Sequence, residues 1–89
     1  MSTMNIFKPT SKYLSDHYMA AAKWARAIEG TKKVKDIGVD DSFTAIHIDG
    51  DRILRSTELE SLSKLCKASG LEWVITHGTT DLIILIKKA

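Results

Sequence analysis

Eighty-nine residues with 44% apolar and 27% charged side chains, five glycines and one proline describe one globular domain of ordinary composition, not a disordered, fibrous or two-domain chain. No stretch approaches the roughly 18 apolar residues of a membrane helix, and residues 1–12 lack the apolar segment of a secretory signal, so the expected location is the cytoplasm. The net charge is only +2 but is unevenly spread: residues 1–35 hold seven Lys or Arg against two acids, residues 36–89 six against nine.

Residues 1–9 are expected to be a loosely ordered segment, with Met4–Phe7 as an optional extra strand, ahead of a single α+β domain over residues 10–89. Leu14, Tyr18, Ala21, Ala25 and Ile28 recur at steps of four, three, four and three, which is one stripe of an amphipathic helix. The spacing predicts a helix from Thr10 to Glu29, capped by Thr10 or Ser11 and stopped by Gly30. Residues 31–38 read as a polar connection with room for a short strand. Phe43–Ile48 is rich in β-branched and aromatic residues and predicts a strand. Asp49-Gly50-Asp51 then predicts a tight turn, with Arg52-Ile53-Leu54 returning as a short hairpin partner.

The second helix is expected to open at Ser56, where Thr57 and Glu60 have the spacing of a capping box, and to end at Gly70. Its apolar stripe is Leu59, Leu62, Leu65 and Cys66. Strands follow at Leu71–Thr76 and Leu82–Lys87, joined by His77-Gly78-Thr79-Thr80 in an antiparallel hairpin. The fold class expected from this order is a small α+β two-layer sandwich, with two helices against a sheet of about four strands in the order α-β-β-α-β-β.

The last strand carries the most informative pattern. Leu82, Ile83, Ile84, Leu85 and Ile86 are apolar without interruption, although alternate residues of a strand face opposite sides of its sheet. Both sides therefore call for cover, either from helices split between the two faces or from a second copy packed across a two-fold axis. The functional expectation is a non-enzymatic regulatory or accessory module that binds itself, as a homodimer, or another protein, with Val74, Ile83 and Leu85 at the centre of the contact.

Two alternatives come from other residues. Lys23, Arg26, Lys32, Lys33 and Lys35, with Trp24 close by, have the chemistry of a nucleic-acid surface, cations for phosphates and an aromatic ring for bases. His77, in a loop near the Asp-rich turns, has the chemistry of a small-ligand site or a small enzyme. No cofactor or metal is expected. Asp36, Asp40, Asp41, Asp49 and Asp51 do not have the spacing of a calcium loop, and His17, His47 and His77 lack the close helical spacing of a zinc motif. Cys66, late in a helix and on its apolar stripe, reads as a core residue.

Overall fold

The computed structural model describes residues 15–89. The first helix, α1, spans Asp16–Ala25 and is followed by β1 (Thr31–Ile37), a single 3-10 turn (Val39–Asp41) and β2 (Phe43–Asp49). The second helix, α2 (Ser56–Ala68), leads to the closing hairpin of β3 (Leu71–His77) and β4 (Asp81–Lys88). The four strands form one antiparallel sheet in the order β1-β2-β4-β3. The α+β class and the α-β-β-α-β-β order are those expected, but one of the strands is not.

The polar stretch after Gly30 is a full seven-residue strand, and Arg52-Ile53-Leu54 has no regular structure. Asp49-Gly50-Asp51 does turn, the Arg52 amide donating to the Asp49 carbonyl at 3.0 Å, but it opens no hairpin because β2 already has a partner on each edge, β1 and β4. The Gly50 amide donates to the Thr80 carbonyl at 3.0 Å and so carries the β2–β4 ladder one step further. A Cβ on Gly50 would lie 2.4 Å from that oxygen, which is why a glycine stands there.

The second helix opens at Ser56 as expected, whereas the first starts later than predicted and the capping groups of both differ. Ser15 has an extended backbone and its hydroxyl accepts from the Tyr18 amide at 3.0 Å, so Ser15 is the N-cap of α1; Thr10, Ser11, Leu14 and Met4–Phe7 lie outside the described residues. The helix stops at Ala25, and Gly30, with φ +94°, turns the chain into β1. At α2 the capping carboxylate is Glu58, not Glu60. It accepts from the Arg55 amide at 2.9 Å and from both terminal nitrogens of Arg52, whereas Glu60 is exposed on the first turns. Arg52 thus competes successfully for the one acid that also sits where the helix needs an acceptor.

Both helices pack on the same side of the sheet, α1 over β1, β2 and β4, and α2 over β3. Ala21, Trp24 and Ala25 of α1 and Leu62 and Cys66 of α2 close over Ile46, Ile48, Ile84 and Ile86. Val34, Leu82, Trp73 and Ile75 fill the margins of this core. The indole of Trp24 donates to the Glu58 carbonyl at 3.0 Å, which locks the end of α1 to the start of α2. Replacing Gly50 with alanine is expected to cost about 1–3 kcal/mol by overpacking, read from the shift of a urea unfolding midpoint. Asp51→Ala, at an exposed neighbour, should stay within about 0.5 kcal/mol; equal costs would mean that Gly50 does not abut Thr80.

Candidate functional site

Because both helices lie on one side, strand alternation leaves the other side without a helix among the described residues. The pairing register places Ile37 beside Phe43, Ala45 beside Leu85, His47 beside Ile83, and Val74 beside Leu85 on that open face. Val74 is 56% exposed; Ile37, Phe43, Ile83 and Leu85 are half-buried. Ala45, short between its register partners Lys35 and Leu85, is buried to 1%. Val74, Ile83 and Leu85, the residues singled out from the sequence, are neighbours here. Ile37, Phe43, Ala45 and His47 share their face. The alternation Phe43-Ala45-His47 could have pointed to three of them, but Ile37 was hidden in what read as a connection.

One flank of this face is held by an ion network. Lys32 sits at a bulge in the β1–β2 pairing and reaches across β2 to donate to Asp81 Oδ1 at 2.6 Å. His47 Nδ1 lies 3.2 Å from Asp81 Oδ2, so this nitrogen carries the proton of the hydrogen bond. The Lys32 ammonium, and after it His47, holds the Asp81 carboxyl below its ordinary value of 3.8, and Asp81 in turn raises Lys32. On the opposite flank Glu72 and Lys87 form a looser pair, 3.7 Å apart.

The five cations of the basic segment do not form one surface. Lys33 and Lys35 share the open face by register with His47 and Ala45. Arg26, Lys32 and Lys33 border a groove of about 580 Å³ between α1 and β1, and Lys23 and Arg26 border one of about 680 Å³ between α1 and α2. Trp24 is in the core at 4% exposure and has no face to stack on a base. His77, at the exposed end of β3, borders a cleft of about 430 Å³ with Lys32, Asp49, Asp51 and Asp81. Among the described residues no group of three or more His, Cys, Asp or Glu side chains is close enough to hold a metal ion.

A third cluster escaped the sequence reading because its members come from three elements. Thr44 Oγ1 donates to Asp36 Oδ1 at 2.5 Å, and Ser15 Oγ donates to Asp36 Oδ2 at 3.0 Å. Each hydroxyl has only one proton, so the 2.6 Å contact between His17 Nδ1 and Thr44 Oγ1 needs the proton on His17. His17 is 5% exposed. The set contains serine, histidine and aspartate, but among the described residues every oxygen partner meets the same ring nitrogen. A nucleophilic relay needs one partner on each nitrogen, so these groups pin the start of α1 to β1 and β2 and do not activate Ser15. Cys66 is buried, and burial pushes its thiol up, away from the reactive thiolate.

No protein-family model, curated protein or solved structure matches this chain. The physical reading of the site therefore stands on geometry. A depressed carboxyl stabilises the fold above its unfolded pKa, and that contribution disappears as the pH falls through the folded value. The urea midpoint is thus expected to drop as the pH goes below about 4, and Asp81→Asn should flatten part of that fall while leaving the part due to Glu58, which Arg52 also holds down. An unchanged pH profile in Asp81→Asn would show that the Lys32–Asp81–His47 network does not form in solution.

Proposed function

We propose that this chain is a non-enzymatic protein-interaction module that works by closing its open sheet face against a second copy of itself. The observation that carries the reading is the apolar centre of a sheet face that no helix among the described residues covers, built from Ile37, Phe43, Ile83, Leu85 and Val74. Fully burying side chains of this size is worth roughly 1.5–3 kcal/mol each, a large share of a small domain's net stability. Supporting charges stand at its two edges. Lys33 and Lys35 lie on the β1 flank and Glu72 on the β3 flank. With a two-fold axis parallel to the strands, β1 of one copy lies over β3 of the other, so that the lysine flank of each meets the glutamate flank of its partner.

Light scattering on the purified protein at tens of micromolar is expected to give a mass above that of the monomer. Leu85→Lys, which places a charge at the centre of the face, should halve that mass while the far-UV circular dichroism and the melting midpoint stay close to wild type. A wild-type monomer, or a mass that Leu85→Lys does not change, would overturn the reading.

A further inference from the structure

The two edges of the sheet are not alike. β1 carries a bulge at Lys32 and two more lysines, Lys33 and Lys35, which are devices that discourage a further strand from adding. β3 has none of them: all seven of its residues pair with β4 without a register shift, and Leu-Glu-Trp-Val-Ile-Thr-His contains no proline or lysine. Among the described residues β4 is its only partner.

The direction of its free backbone groups follows from the ends of the β3–β4 ladder. Gly78 donates its amide to the Asp81 carbonyl at 2.8 Å, and Ala89 donates to the Gly70 carbonyl at 3.0 Å. Both are directly opposed pairs in the β3–β4 register, so the even-numbered residues Glu72, Val74 and Thr76 exchange their hydrogen bonds with β4. The amides and carbonyls of Leu71, Trp73, Ile75 and His77 consequently point away from the sheet.

We infer that β3 pairs antiparallel with β3 of a second copy about a two-fold axis through Val74. This register uses the whole strand and matches the backbone parity. Leu71 faces His77 of the second copy and Trp73 faces Ile75, and every outward amide and carbonyl finds its complement. Val74 meets its own counterpart as the close, non-hydrogen-bonded pair on the axis, which covers the most exposed apolar residue of the open face. Glu72 falls opposite Thr76, so no like charges are opposed. The contact is independent of what covers the open face, and it joins two sheets into one of eight strands.

The register fixes a cross-link. At the axis the two Val74 Cα atoms stand about 4.5 Å apart, within disulfide reach, whereas two copies of residue 76 are about 13 Å apart along the strands. Val74→Cys is expected to form an interchain disulfide under mild oxidation in the full chain, and Thr76→Cys is not; buried Cys66 gives no background. The cross-link should persist when Leu85→Lys is added, which separates this contact from closure of the open face. Residue-resolved hydrogen exchange of the wild-type chain should show the amides of Trp73 and Ile75 protected as well as those of Val74 and Thr76. Fast exchange at Trp73 and Ile75, protection in a chain that stays monomeric, or equal cross-linking at positions 74 and 76 would each overturn the inference.

Discussion

Ile83 and Ile84 are consecutive residues of β4, an inner strand paired on both edges, and they occupy different environments. Ile84 is fully buried beneath the helices, while Ile83 is only half-buried on a face that no helix among the described residues covers. The rest of the architecture depends on that contrast. A four-stranded sheet takes about two helices to roof one side, and the described residues supply two, of ten and thirteen residues. Placing both over Ile46, Ile48, Ile84 and Ile86 completes one core. Splitting them would have left both faces half open, with neither core closed.

Three polar clusters then fix how the layers sit. Asp36 gathers Ser15 and Thr44, and through Thr44 also His17, so the first turn of α1 is tied to the β1–β2 hairpin. At the other end of the helix the Trp24 indole is bonded to the Glu58 carbonyl, and Glu58 in turn holds Arg52 and the Arg55 amide. The third cluster, Lys32, His47 and Asp81, bridges three strands on the open side. In each case a buried or half-buried carboxylate or carbonyl is met by donors from elements distant in sequence. That satisfies the polar groups and also sets the register of helix on sheet.

The helices, the second hairpin and the fold class were legible because their signals are local. Leu62 and Cys66 at helical spacing, and Leu71–Thr76 and Leu82–Lys87 around a glycine loop, carry their own periodicity. β1 was not legible. Its Lys32-Lys33-Val34-Lys35 sequence suits an edge strand whose open-face lysines are solvated, and edge position is a property of the assembled sheet. Asp49-Gly50 misled for a related reason, since the same dipeptide serves a hairpin turn or a close backbone contact, and only the presence of β4 beside β2 decides between them. The capping acid of α2 was misassigned by two residues because the competing partner, Arg52, precedes the helix. Of the candidate sites, Val74, Ile83 and Leu85 were offered by alternation within each strand, while the register that brings Val74 beside Leu85 belongs to the folded hairpin. The His17 cluster ties Ser15 and His17 to Asp36 and Thr44, 19 to 27 positions further on, and no pattern in one sequence links them.

The open face and the free edge of β3 are connected by area. Four strands of seven or eight residues offer a footprint of about 450 Å² at usual strand spacings, whereas stable protein contacts commonly bury about 800 Å² of accessible surface per partner. A single copy therefore presents a face that is apolar enough to require cover but too small to hold a partner tightly by itself. Adding a second sheet along β3 extends the same face without any new element, because the outward groups of β3 already have the parity of a continuing strand. The lysines and bulge on β1 stop that growth at the other edge, so strand addition yields a closed pair and not an open-ended ribbon. In this chain the asymmetry of charge noted along the sequence thus becomes an asymmetry between two sheet edges, one protected and one available.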